Sequence, residues 1–277
     1  MTLLIGVATG DGIVLAADSR TTIGAPAQLL RVLSDSTRKL FNVGGCAVGT
    51  SGWAFLLNRN IAGHVGDLAR SLDDERLAPS QVCVRLATTI GPLLERHLDE
   101  GLDARPAEGE FALSFLVGGY DGNEGEVYEL NLPGGQPERV GTTKQGAAMW
   151  RGQTDVVTRL IKGWDPTLPL DLEADPVCGP ARDDIMRCVE GTEYILRFAL
   201  MSLQDAIDLA LLLIRTTIDV QRLTHGTLAH PGSWPGVGGS IAVAAVTPTD
   251  GFGWVQETRL AGERPSGTQG TSALSLL

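Results

Sequence analysis

The sequence predicts an α+β fold, because two kinds of signal alternate in blocks along it. Apolar runs meet at turn-forming residues at Thr9-Gly10-Asp11-Gly12, Gly44-Gly45, Asp121-Gly122-Asn123-Glu124-Gly125 and Thr249-Asp250-Gly251, each the mark of an antiparallel hairpin. Between the hairpins lie stretches whose apolar residues recur at helical spacing, one block after the second hairpin and another before the last. Strand pairs and helices gathered in separate blocks give α+β, not repeating βαβ units.

Residues 3–8 and 13–17 are the arms of the first hairpin. A turn centred on Gly10 or Asp11 joins residues whose numbers sum to about 20 or 21, which sets Thr2 opposite Asp18 or Ser19. A polar, small-residue loop follows over 21–37, then strands over 39–43 and 45–51. Phe55, Leu56, Ile61, Val65 and Leu68 predict a helix within 52–72, and Ser80 opens a second one carrying Val82, Leu86, Ile90 and Leu94.

Residues 111–120 read as a buried strand and 127–132 as its return, ended by Pro133-Gly134-Gly135. The corner Gly141-Thr142-Thr143 leads into a predicted helix over 147–162. Residues 166–180 form a proline-bearing acidic link with the look of an insertion, and 183–200 predict a further helix. Ser202 and Asp205 make a capping box ahead of a helix over 206–220, apolar on nearly every face and so expected to be buried. Pro231 and Pro235 make 226–239 irregular, 241–246 and 252–256 form the last hairpin, and the Ser, Thr and Gly-rich tail is expected to be disordered. The organisation expected is one domain over 1–260, with a helical insertion around 166–200, and a tail over 261–277.

The chain has 277 residues, 43% hydrophobic and 20% charged, ample for a sizeable core. No apolar run is long enough to cross a membrane and no charged-then-apolar leader opens the sequence, so a cytoplasmic location is expected. A net charge of −11 argues against nucleic acid as a partner and reads as solubility. Cys46, Cys83, Cys178 and Cys188 form no CxxC pair, and His64, His97, His225 and His230 lack metal-ligand spacing; no metal, cofactor or disulfide is implied.

Chemistry concentrates at the start. Threonine after the initiator Met1 is small enough for aminopeptidase to remove the methionine, and Thr2 would then hold a hydroxyl nucleophile and an α-amine base in one residue. The amine is a base only when neutral, with an ordinary pKa of roughly 7.7 to 8.0, and a nearby cation favours the neutral form. Lys39 is the candidate cation and Asp18, carried back to Thr2 by the hairpin, its partner. Threonine at position two is by itself common and uninformative; its weight comes from the hairpin register, Asp18, Lys39 and Gly49-Thr50-Ser51-Gly52 together.

Thr2, the run from Asp11 to Arg20 with Thr22, Lys39-Leu40-Phe41 and Gly49-Thr50-Ser51-Gly52 resemble proteasome β-type subunits, within the N-terminal-nucleophile (Ntn) hydrolases. The resemblance covers Thr2 to about Gln256, with its specific motifs between Thr2 and Gly52. It implies a four-layer αββα sandwich of two antiparallel sheets flanked by helices. It matches Thr2 to the catalytic threonine, Asp18 and Lys39 to the acidic residue and lysine beside it, and Gly49 to the glycine whose N–H forms the oxyanion hole. Thr22 and Ser51 match positions pairing with substrate backbone, and Thr21 and Ala47 fall where the family shapes its specificity pocket, which two small side chains would leave roomy.

The second half departs from the family. A serine expected after the strand preceding the third helix, and an aspartate and serine before the Gly-Gly of the last hairpin, are absent at Gly141 to Gly146 and at Trp234 to Gly239. Thr142 or Thr143 is the available substitute for the first serine. The long loops and extra helical block resemble a divergent bacterial proteasome-like protein. The implied activity is a threonine-type endopeptidase working without cofactor on peptides or unfolded proteins, self-associated in a ring-like assembly and served by an ATP-dependent unfoldase. The alternatives are a catalytically inactive scaffold subunit and an Ntn amidohydrolase acting on a small-molecule amide.

Overall fold

The computed structural model describes residues 2–23, 31–227 and 235–257. In chain order these form β1 (Leu3–Thr9), β2 (Gly12–Asp18), β3 (Thr21–Ile23), β4 (Arg31–Ser34), β5 (Leu40–Val43), β6 (Cys46–Gly52), β7 (Phe55–Leu56) and β8 (Arg59–Asn60). Then come α1 (Ile61–Ser71), α2 (Pro79–Asp99), β9 (Leu113–Asp121), β10 (Glu124–Leu132), β11 (Glu138–Thr142), β12 (Ala147–Gly152) and α3 (Asp155–Lys162). The chain closes with α4 (Leu168–Ala174), α5 (Arg182–Glu190), α6 (Leu203–Leu223), β13 (Ile241–Thr247) and β14 (Gly251–Gln256).

The fold is mixed α and β, with two five-stranded antiparallel sheets ordered β12-β1-β2-β13-β14 and β11-β10-β9-β6-β5. Every residue of β1 and β2 is buried, because their apolar runs sit mid-sheet with both faces covered. The hairpin pairs Leu4 with Ala17 and Thr9 with Gly12, so paired numbers sum to 21 and Thr2 leads toward Ser19.

Three apolar clusters account for the packing. Leu4, Leu15 and Ala244 of the first sheet meet Leu40, Ala47 and Leu116 of the second. The first sheet's opposite face, with Leu3, Ile5 and Val14, packs on Val157 of α3 and Ile207 and Ile214 of α6. On the second sheet's opposite face Val48, Phe115 and Val117 pack on Val65 of α1 and Leu86 and Ile90 of α2.

Several local expectations change. Residues 147–152, expected to begin a helix, are strand β12, which pairs with β1 from Leu3–Gly152 to Ala8–Ala147; the sheet edge overrides the helical propensity of Ala147, Ala148 and Met149. The expected loop over 21–37 contains the β3–β4 ribbon, and β11 adds an unforeseen edge strand. Residues 53–60 form a short β7–β8 hairpin, with α1 beginning only where the Asn60 side chain accepts the Ala62 N–H. The helix over 183–200 stops at Glu190, and the acidic link contains α4. Helix α6 is buried along one face alone, since Leu212 is 54% and Leu223 is 71% exposed. The tail over 261–277 lies outside the described residues, as does 228–234 of the irregular segment.

Candidate active site

Asp18 ends β2 in the middle of the first sheet, beside Ile241 of β13, and is 1% exposed. Its carboxylate accepts four hydrogen bonds. Oδ1 takes the Leu3 N–H at 3.0 Å and the Lys39 ammonium at 2.9 Å; Oδ2 takes the Arg20 N–H at 3.1 Å and the Gly238 N–H at 3.0 Å. Such saturation makes a buried carboxylate tolerable. It also pins the start of β1 to the segment before β13.

Lys39 lies immediately before β5, is 6% exposed, and also donates to the Arg20 carbonyl at 2.6 Å. Burial lowers its pKa from the ordinary lysine value, and pairing with Asp18 opposes that only in part. Arg20 runs outward from the pair to Asp35, with contacts of 2.6 and 2.9 Å, and to the Pro235 carbonyl. The hydrogen bond from Arg20 holds the Asp35 carboxyl below its usual range.

Thr2 is 5% exposed and held at its carbonyl, which accepts the Gln153 N–H at 2.8 Å. Gly152 backs onto it with φ at +94°, and any Cβ there would stand 1.8 Å from the Thr2 oxygen. The Gln153 side chain accepts from Gln221 of α6, whose own carbonyl oxygen accepts the Val237 N–H.

Thr2, Thr21, Lys39, Ser51 and Gly52 open onto one cavity, which leaves about 20 Å³ for the centres of water molecules. Room for roughly a single water follows, since one needs about 10–15 Å³ on this measure. Thr37, Thr50, Trp53 and Ile61 also line the cavity.

Gly49 and Ala47 do not reach this cavity. Both face the inter-sheet core, where Ala47 is 1% exposed and a Cβ on Gly49 would come within 2.3 Å of Leu4 Cδ1. The Thr50 N–H donates to the Lys39 carbonyl and the Trp53 N–H to the Ala112 carbonyl, at 3.0 and 2.8 Å. Amides alternate in direction along a strand, so the Gly49 N–H turns with that of Trp53 toward β9. Gly52, at the end of β6, lines the cavity. Thr22 pairs with Val32 in the β3–β4 ribbon, outside the cavity lining. Thr142 and Thr143 lie by the Ala8 end of β1, one strand length from Thr2; the residues between β12 and α3 are Gln153 and Thr154, with no serine.

No protein-family model matches the chain, and no curated protein matches its sequence. Solved structures do match. Anbu (ancestral beta-subunit) from Yersinia bercovieri covers 92% of this chain and 87% of its own, at 16% identity and a TM-score of 0.51. The chain has an Anbu-like fold. An Anbu Gly-1 mutant from Hyphomicrobium sp. strain MC1 covers 92% of this chain and 86% of its own, at 16% identity and a TM-score of 0.49.

Within this Anbu-like fold, Gln153, Gln221 and Gly238 are residues beside the site that the sequence did not single out. Gly52 stood inside the quoted Gly49-Thr50-Ser51-Gly52 motif, and the strand's alternation, absent from the sequence, separates the two glycines. Gln153 and Gln221 are 68 positions apart and carried no signal. Among the described residues no helix is long and apolar enough to cross a membrane, and no group of His, Cys, Asp and Glu could hold a metal ion.

Proposed function

We propose that the chain is a threonine-type Ntn hydrolase that cuts peptide bonds through Thr2 after Met1 is removed. The observation that carries this reading is that Thr2, Lys39 and Gly52 line one cavity while Asp18 ties Lys39 to the start of β1. In this reading Thr2 Oγ1 attacks the carbonyl carbon of the scissile bond and its α-amine takes the hydroxyl proton, directly or through a water. The Lys39–Asp18 pair sets the charge around that amine. The Gly52 N–H, in place of that of Gly49, receives the oxyanion. The amine returns its proton to the departing amino group, and water then frees the acyl-enzyme.

The packing of helices on the outer faces of two facing sheets supports the αββα sandwich, and with it one domain carrying a helical insertion around 166–200. The Anbu neighbour's description as a subunit supports self-association. Thr21 and Ser51 are proposed to bind substrate, and a cytoplasmic location, unfolded-protein substrates and an ATP-dependent unfoldase complete the reading.

The test is the intact mass of the purified protein before and after an acylating β-lactone, with Thr2→Ala in parallel. Loss of Met1 and one adduct, absent from Thr2→Ala, is the expected result. Retained Met1 with no adduct would overturn the catalytic reading. It would favour the scaffold reading.

A further inference from the structure

We propose that Gln221, in the last turn of α6, is a positioning residue for Thr2 and acts through Gln153. This role rests on the reading of Thr2 as the nucleophile and adds to Asp18 a second tie on the nucleophile's main chain.

The peptide unit joining Thr2 to Leu3 is held from both sides. Its N–H donates to Asp18 Oδ1 at 3.0 Å, and its carbonyl accepts the Gln153 N–H at 2.8 Å. A planar peptide carries the Thr2 Cα with it, and the α-amine and the carbon bearing Oγ1 both project from that atom. Clamping the plane therefore sets where the nucleophile and its base stand. Gly152, with φ at +94°, turns the chain so that the next amide reaches back to Thr2.

The Gln153 side chain is in turn held by α6. Its oxygen accepts from Gln221 Nε2 at 3.2 Å, and Gln221 Oε1 accepts the Val237 N–H at 2.9 Å. A backbone N–H only donates, so Val237 fixes which end of the Gln221 amide is oxygen and leaves Nε2 for Gln153. The amide after Val237, that of Gly238, donates to Asp18 Oδ2 at 3.0 Å. The path closes on itself, from Thr2 through Gln153, Gln221 and the 237–238 backbone to Asp18 and back to Thr2. Its rigid member is α6, whose Ile207 and Ile214 share one buried cluster with Leu3 and Ile5 of β1. A nucleophile displaced by about 1 Å can lose about a hundredfold in rate, so an anchor of this kind bears on acylation itself.

The experiment follows β-lactone acylation of Thr2 by intact mass over time, in the Met1-processed full-length protein at each variant's optimal pH. It separates the maximal rate from the half-saturating concentration, and urea melts give the folded fraction by which each rate is normalised. Gln221→Glu, as a carboxylate, still accepts from Val237 but offers Gln153 no donor; it should lower the maximal rate by about tenfold with the half-saturating concentration little changed. Gln153→Leu should lose as much, and Gln153→Glu, which restores an acceptor for Gln221 Nε2, should rescue the rate. Combining Gln153→Leu with Gln221→Leu should lose no more than either alone, because both act in one path. Wild-type rates in folded Gln221→Glu and Gln153→Leu would overturn the positioning role and leave the nucleophile standing. Equal losses in Gln153→Glu and Gln221→Glu would overturn it too, assigning the two glutamines to packing. No adduct on the wild type would overturn the positioning role and the nucleophile together.

Discussion

Lys39 Nζ sits 2.9 Å from Asp18 Oδ1 with both side chains almost wholly out of solvent, and the same Asp18 oxygen accepts the Leu3 N–H. One carboxylate therefore joins the base of β5 to the first residues of β1. The contact couples the fold's stability to the position of Thr2.

Removing either member leaves the other charged and buried. Lys39→Met and Asp18→Ala should each lower the unfolding free energy by about 3–5 kcal/mol, read from urea denaturation at pH 7. Each should also suppress β-lactone labelling of Thr2 in the protein that remains folded. A loss below about 1 kcal/mol would mean that the pair does not anchor β1.

The Lys39 shift fixes the sign of a pH effect. Burial lowers its folded-state pKa below the ordinary 10.5, so between the two values the unfolded chain binds the extra proton. Stability should then rise with pH across that interval, by at most about 1.4 kcal/mol per unit, and level off above the unfolded value. The difference between wild type and Lys39→Met, followed by denaturant melts from neutral to alkaline pH, should show this slope. A slope of the opposite sign would refute a depressed lysine.

Gly52 and Gly49 separate by substitution. Gly52 has φ at +101°, and a Cβ there would stand 2.2 Å from the Ala112 carbonyl oxygen, so Gly52→Ala must shift backbone that lines the cavity. Its folded fraction should lose about 10²-fold in kcat, the scale of a displaced oxyanion donor. Gly49→Ala meets the Leu4 side chain in the core and should cost about 1–3 kcal/mol of stability with kcat nearly retained. The reverse pattern would return the oxyanion role to Gly49.

Between the sheets, Arg151 of β12 binds Glu129 of β10 with two of its nitrogens. Burial pushes the Glu129 pKa up, but the hydrogen bonds and charge of Arg151 outweigh it and leave it below the usual value. This contribution is complete above the ordinary glutamate pKa and is lost as pH falls through the folded value. Arg151→Ala should cost about 1–2 kcal/mol at pH 7, with the 33% exposure of the arginine side chain limiting the loss, and less at pH 3. An equal cost at both pH values would assign Arg151 to packing alone.

Much of the architecture was legible because hairpin turns and buried runs are local signals. Thr9 to Gly12 set the register that brings Asp18 to the start of β1, and the capping box at Ser202 and Asp205 marks the start of α6. Where local preference and tertiary demand disagree, the sequence misleads. Ala147 to Trp150 look helical and lie in a sheet, because β1 needs a partner on its outer edge and finds it there.

By itself the sequence determined which residues could carry the chemistry: a threonine next to Met1, an aspartate one hairpin away, a lysine before an apolar strand, and a glycine-bearing strand after it. The tertiary structure decided which of them meet. Packing against Leu4 turns Gly49 into the core, while Gly52 lines one cavity with Thr2 and Lys39. Strand direction and cavity size depend on contacts between segments far apart in the chain, and no local stretch of residues encodes them.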